Sequence, residues 1–425
     1  MRFVLLAPLV IAFACSDDLE ERRHLPAEAG VDAAVEADAS DASDAHELIS
    51  ASTQSDFETE THLGVAPNGA MLATWIAVKS GVTKIGYAFH TGAWQAAQIL
   101  ESPDGRRGTD PVAAVDDAGR FFLTWAGLRR DAGGAPYDMR IYSASAEPGS
   151  TAFAAPVDVS GPVPGDSIDK PWSVTDGAGR LFVTWTDNAG ASQRLSVSED
   201  GGKTFATTTL GSTEGYLLYP CVDRQTGRLH VVHWVNGAIG HQASDDAGKT
   251  WTPLAQVSLA TEDPATFDDP TCAAHGGKLW VAYGIGKEPF DPAESPRALH
   301  LRVARSDDGG LSFGSHAFAE DATAGTRFLH AQLARGDDGR FSLLYYAGGS
   351  QTPDPGGSLR IATSGDALTW PPSVVAKAPI TFLGTRPTQV WLGDYIGLAT
   401  RGGVRHVSYA DNASGKSHVR YFALP

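Results

Sequence analysis

An eight-residue stretch, SDDAGKTW from Ser244 to Trp251, recurs along the chain and limits what it can fold into. Two copies are nearly intact, SEDGGKTF from Ser198 to Phe205 and SDDGGLSF from Ser306 to Phe313, and a shortened one, SGDALTW, runs from Ser364 to Trp370. Each pairs Ser with an Asp two places on, carries Gly near the bend, and ends in Ser or Thr followed by an aromatic. An Asp carboxylate can accept backbone N–H bonds inside a tight turn, Gly tolerates positive φ, and the closing aromatic can return to a sheet as an anchor. The spacing therefore predicts hairpin turns, with Asp200, Asp246, Asp308 and Asp366 as turn-builders rather than catalysts.

The turns sit inside a larger repeat of a short strand, a Gly turn and a β-rich strand that commonly ends in an aromatic. Seven copies can be read, beginning at Thr61, Asp110, Lys170, Tyr219, Asp269, His330 and Asp394, among them DPVAAVDDAGRFFLTW and KPWSVTDGAGRLFVTW. A spacing of about 50 to 60 residues suits a four-stranded propeller blade. No window sustains a helical period, and 47 Gly and 25 Pro punctuate runs rich in Val, Thr, Tyr, Phe and Trp. The expectation is an all-β, seven-bladed β-propeller over residues 48–425, with six blades as the alternative. The last copy ends after three strands, so Leu48 to Thr53 is expected to close the ring from the other end of the chain.

Met1 and Arg2 precede an apolar run from Phe3 to Ala14, too short to cross a bilayer and suited to a signal peptide, residues 1–14. Residues 15–47 are mostly Ala, Asp and Glu; with almost no large apolar side chain they cannot offset the entropy of ordering and read as an acidic tether. Eleven acids there against Arg22 and Arg23 supply about half of the formal charge of -17. The remaining chain is only mildly acidic, which argues against a nucleic-acid partner. Cys221 and Cys272 follow Pro in corresponding strands of neighbouring repeats, and either a disulfide or two buried thiols fits them.

In a propeller the innermost strands ring a central channel, and ligands meet the face where those strands begin. Aligning the copies on their Gly turns places Glu60, Asp110, Lys170, Tyr219, Asp269, His330 and Asp394 there. Four carboxylates in one ring must be solvated, bind a cation, or hold raised pKa values. Three readings stay open: a water-filled mouth with Lys170 as counter-ion, Ca2+ held by carboxylates and carbonyls, or a sugar or catalytic site. No other cofactor is expected. Long loops bordering the mouth add Arg129, Arg130, Tyr137, Glu288 and Asp291, a mixture suited to hydroxyl-rich ligands.

The recurring turn resembles the Asp-box, or BNR repeat, of the sialidase superfamily of β-propellers, in which it closes the hairpin between the third and fourth strands, away from the substrate. Sialidases hold the substrate carboxylate with three Arg, for which the resemblance offers Arg327, Arg386 and either Arg129 or Arg130. It likewise offers Tyr219 as nucleophile, with Glu60 or Asp110 as acid. The opening copy, FETETHLGVAPNG, lacks the Arg that such enzymes carry there. The segments GDYIGLA, SYADNASGK and DKPWSVTD look like bacterial secreted propellers that have the repeat without the full catalytic set. The run AFAC resembles the lipobox of bacterial lipoproteins, in which Cys15 would be lipidated, and Ser16 resembles the signal for outer-membrane sorting in Gram-negative bacteria. The expected protein is a monomeric, exported propeller, attached to the membrane by lipid only, that binds a glycan or a cell-surface protein. The alternatives are an exo-acting glycoside hydrolase and a scaffold in a cell-surface assembly.

Overall fold

Short runs rich in Val, Thr, Tyr, Phe and Trp between Gly-rich turns dictate short antiparallel strands, and in the computed structural model these form seven blades around a ring. The structure describes residues 46–132, 134–161, 168–187, 192–210, 215–265, 269–287, 298–318, 326–349, 354–382 and 391–425. Cys15, the signal segment and nearly all of the acidic segment lie outside them. The first strand, β1 (Glu47–Leu48), belongs to the last blade. Blade 1 comprises β2 (Phe57–Val65), β3 (Met71–Lys79), β4 (Val82–His90) and β5 (Gln98–Leu100); blade 2, β6 (Arg107–Val115), β7 (Phe121–Arg130), β8 (Pro136–Ala146) and β9 (Val157–Asp158). Blade 3 is β10 (Ile168–Thr175), β11 (Leu181–Asp187), β12 (Ser192–Ser198) and β13 (Ala206–Thr209), and blade 4 is β14 (Tyr216–Asp223), β15 (Arg228–Val235), β16 (Ala238–Ser244) and β17 (Ala255–Gln256). Blade 5 is β18 (Thr271–His275), β19 (Lys278–Lys287), β20 (Ala298–Ser306) and β21 (Ser315–Phe318). Blade 6 is β22 (Arg327–Arg335), β23 (Phe341–Gly348), β24 (Asp354–Ser364) and β25 (Val374–Phe382); blade 7 is β26 (Gly397–Arg401), β27 (Val404–Asp411) and β28 (His418–Leu424), completed by β1.

The ring closes as expected from opposite ends of the chain, but with a shorter strand than Leu48 to Thr53. Glu47 pairs with Tyr421 and Leu48 with Arg420, while Ala51–Thr53 curls into a 3-10 turn. A buried carboxylate explains where the strand stops. Glu58 accepts bonds from Ser50 Oγ at 3.2 Å and Thr53 Oγ1 at 2.9 Å and faces His418 Nδ1 at 2.6 Å, so the segment bends inward to reach it.

The core is a circle of seven inter-blade clusters rather than one centre. Leu72, Phe89, Leu123 and Trp125 join blades 1 and 2; Phe122, Leu181 and Trp185 join 2 and 3; Phe182, Leu195, Leu229 and Val231 join 3 and 4. Similar clusters follow between blades 4 and 5, 5 and 6, and 6 and 7, and Trp75 with Tyr421 packs blade 1 against blade 7. The aromatics in the middle of the second strands, Trp75, Trp125, Trp185 and Tyr283, thus fill the seams between blades.

The four recurring turns have one hydrogen-bond plan. In blade 4, Ser244 Oγ and the Thr250 backbone N–H each donate to Asp246 Oδ1 at 2.8 Å, and Thr250 Oγ1 donates to Oδ2 at 2.6 Å. Asp200, Asp308 and Asp366 repeat it with Thr204, Ser312 and Thr369. The closing aromatics Phe205, Trp251, Phe313 and Trp370 each pack into the cluster shared with the preceding blade. Gly248 shows why the bend needs glycine: its φ is +86°, and a Cβ there would lie 2.1 Å from Leu195 of blade 3.

Cys221 on β14 and Cys272 on β18 form a disulfide that ties the inner strands of blades 4 and 5, which decides between the two readings open for them.

Candidate functional site at the channel mouth

Five inner strands share one irregularity near their start. Their registers skip between Thr59 and His62, Thr109 and Val112, Asp169 and Trp172, Tyr216 and Tyr219, and Leu329 and Gln332. The first residue inside each skip is left-handed: Glu60 at φ 50°, Asp110 at 50°, Lys170 at 49°, Leu217 at 57° and His330 at 58°. Non-glycine residues seldom adopt positive φ, and a bulge of this kind re-aims its side chain. Sequence alignment on the Gly turns therefore placed Glu60, Asp110, Lys170 and His330 at equivalent positions. Blade 4 departs from it. Its equivalent residue is Leu217, and Tyr219 stands level with His62, Val112, Trp172 and Gln332, two residues further along the strand. The Asp223–Gly227 turn is longer there, and the Tyr219-Pro220 pair imitates Asp110-Pro111 and Lys170-Pro171.

The bulges of blades 1, 2 and 3 and the start of blade 7 converge on one ammonium. Lys170 Nζ donates to Asp110 Oδ1 at 2.8 Å and Asp394 Oδ2 at 2.6 Å, and lies 4.0 Å from Glu60 Oε1. The lysine side chain is 15% exposed and its three carboxylate neighbours 2 to 12%, so the pairs are weakly screened while the rim stays reachable. Burial opposes the charge on Lys170, but Asp110, Asp394, Glu60 and Asp169 together hold its pKa well above the ordinary lysine value.

Asp169, beside this lysine, is the residue that sequence reasoning missed. Its Oδ1 accepts the Lys170 backbone N–H at 2.9 Å. Burial, and then the charge of Asp110, push its carboxyl up to about 7 against the pull of Lys170. It therefore exchanges its proton near neutrality, while Lys170 remains a fixed cation. The Asp-Lys pair before Pro-Trp was visible in the sequence; the proximity of Asp110 from the neighbouring blade was not.

Packed rings form a floor below the mouth. Trp172 lies 4.7 Å from the Tyr219 ring and 5.0 Å from the Tyr395 ring, and the His62 ring meets Trp172 edge-on at 5.3 Å. The Tyr395 hydroxyl donates to the Pro111 carbonyl at 3.0 Å, and His62 Nδ1 accepts the Ala113 N–H at 3.1 Å. Burial lowers His62 to about 4, so it is neutral at pH 7. Tyr219 donates to Gln332 Oε1 at 3.3 Å, whereas Asp110 and Glu60, its expected acid partners, face Lys170. Burial, reinforced by Asp269, raises the Tyr219 hydroxyl far above its usual value, which disfavours the phenolate a nucleophile requires.

The other expected residues are distributed around the ring. Asp269 and His330 are buried, and His330 meets Tyr346 edge-on at 6.1 Å. Arg327 opens β22 and donates to the Thr326 carbonyl at 3.1 Å. Arg129 and Arg130 end β7: Arg129 shares Asp138 with Arg106 and Arg140, and Arg130 donates to the Gly134 carbonyl. Arg386, Glu288 and Asp291 lie outside the described residues. Among the described residues no group of three or more His, Cys, Asp or Glu side chains is arranged to hold a metal ion, and the cation beside Asp110 and Asp394 is the Lys170 ammonium.

No family model matches the chain. No curated protein matches it either. Solved structures do. A protein of unknown function from Dyadobacter fermentans superposes with a TM-score of 0.51 at 15% identity, over 89% of this chain and 97% of that one. The phage phi92 endosialidase gives 0.51 at 10% identity, over 89% of this chain and 69% of its own. A Hadza microbial sialidase gives 0.49 at 14% identity, over 87% and 66%. At these identities the likeness is one of fold alone, that of a β-propeller.

Proposed function

We propose that this propeller binds a hydroxyl-rich glycan at the mouth of its channel, held at the cell surface by a lipid on Cys15 and the acidic tether. The observation that carries the reading is the pairing of Asp169 with the Lys170 cluster. Asp110, Asp394 and Glu60 supply acceptors, Lys170 a fixed donor, and Asp169 a carboxyl that donates or accepts according to pH. Such neighbouring donors and acceptors suit adjacent sugar hydroxyls. The test is a glycan array on residues 46–425, followed by a release assay on each hit. Selective binding supports the proposal; silence on every glycan contradicts it and leaves a protein partner or scaffold role.

Hydrolysis is the second reading, favoured by one feature. Asp169 is raised to about 7 by burial and by the neighbouring Asp110, and a carboxyl held toward its protonated form near neutrality is what a general-acid role requires. Under this reading Asp169→Asn retains glycan binding and abolishes sugar release. Release that survives in Asp169→Asn would remove Asp169 from the chemistry.

A further inference from the structure

The seams between blades are built alike, and one differs in chemistry. Where the turn of blade 3 meets blade 2, a Cβ on Gly202 would press on Phe122, and where the turn of blade 4 meets blade 3, Gly248 presses on Leu195. Where the turn of blade 5 meets blade 4, the corresponding Gly310, at φ +88°, lies against the His241 ring. A Cβ on Gly310 would come within 2.1 Å of His241, so ring and turn are fully packed.

That histidine is part of a buried chain of hydrogen bonds. His241 Nδ1 lies 2.9 Å from the Gly310 carbonyl, which only an N–H can satisfy, so His241 Nε2 is left to accept from His230 Nδ1 at 3.0 Å. His230 Nε2 is buried without a hydrogen-bond partner. A proton added to it would therefore create an unpaired cation between two blades. The opposite flank of blade 4 repeats the motif. His233 on β15 contacts Gln193 of blade 3 through Nδ1 at 2.6 Å, and its buried Nε2 has no hydrogen-bond partner.

We propose that blade 4 is an acid-labile sector of the ring, released from blades 3 and 5 when His230, His241 and His233 take up protons, with Cys221–Cys272 holding its inner edge in place. The charged groups around the cluster do not rescue the protonated form. Arg228 flanks the blade 5 turn at Gly309 and repels charge on both His230 and His241; among the described residues Asp223 is the one carboxylate acting on His230, and its Oδ2 is engaged by the Gly277 N–H at 2.6 Å. The blade 5 side presents the Gly310 carbonyl and the Phe313 ring, 5.8 Å from His241, and among the described residues no carboxylate acts on His233. Burial lowers all three histidines, to about 4 for His230 and His233 and about 3 for His241. Their stabilising contribution is complete above about pH 6.5, where the unfolded histidine is neutral, and is lost as pH falls toward about 4.

The test is peptide-resolved hydrogen exchange on the full chain at pH 7 and pH 4.5, corrected for intrinsic rates. Protection in residues 228–244 and 306–313 should fall at least about tenfold more than in residues 121–146 of blade 2. His241→Gln, which keeps an N–H for the Gly310 carbonyl and cannot be protonated, should retain more of the blade 5 contact in acid. Equal loss across all blades, or undiminished protection of blade 4 at pH 4.5, overturns the proposal. The wild-type comparison decides even if the variant does not fold.

Discussion

Lys170 is where one residue holds the most together, since its ammonium links side chains from four of the seven blades. Lys170→Met keeps the stem and leaves Asp110, Asp394 and Glu60 facing one another. It should lower stability by about 3–5 kcal/mol, as expected when one partner of a buried ion cluster is removed, and urea denaturation measures it. Asp169 predicts a pH dependence of the opposite sign to that of the blade 4 histidines. Its folded-state value lies above the ordinary carboxylate value, so its stabilising contribution is complete below about pH 4 and disappears as pH rises through about 7. Asp169→Asn should therefore flatten the stability profile between those limits in urea midpoints taken at each pH, and an unchanged slope would place the titration elsewhere. Of these two neighbours, Lys170 was legible as a ring residue from its place before Pro171. Asp169 was not, because its character comes from Asp110 on a different blade.

At the scale of the element, the recurring turn was almost fully legible. Asp246, Thr250 and Trp251 act within a few residues of one another, and local chemistry of that kind is what sequence spacing encodes. Asp246→Ala would remove the acceptor for two side-chain hydroxyls and a backbone N–H, and a loss of about 1–2 kcal/mol is expected in thermal or urea unfolding. Trp251→Ala should cost more, about 3 kcal/mol, because the ring also fills the seam with blade 3. The inner-strand bulges were only half legible. The recurring acid-or-Lys-then-Pro pattern pointed to the correct residues in blades 2 and 3, but in blade 4 Tyr219-Pro220 mimicked it two residues too late, and only the register of β14 on β15 reveals Leu217 as the bulged residue.

For the whole molecule, seven repeats at blade spacing gave a count that the structure matches, because each blade is a local unit and the ring follows from stacking such units. The disulfide and the exact closing strand needed three dimensions, since both depend on contacts between repeats or between chain ends. Cys221 and Cys272 are 51 residues apart, and replacing both by Ser should lower stability by about 2–4 kcal/mol, read as a shift of the urea midpoint relative to the oxidised protein. The topology also puts the mouth and the Asp turns on opposite faces of the ring: inner strands begin at one face, and the links between third and fourth strands lie on the other. The most direct test of a glycan site at the mouth is calorimetric titration of the strongest array hit into two variants, Asp169→Ala at the mouth and Lys249→Ala on the exposed turn of the far face. The account predicts an affinity at least about tenfold weaker for Asp169→Ala and wild-type affinity for Lys249→Ala. Wild-type affinity in Asp169→Ala, or a loss confined to Lys249→Ala, would contradict it.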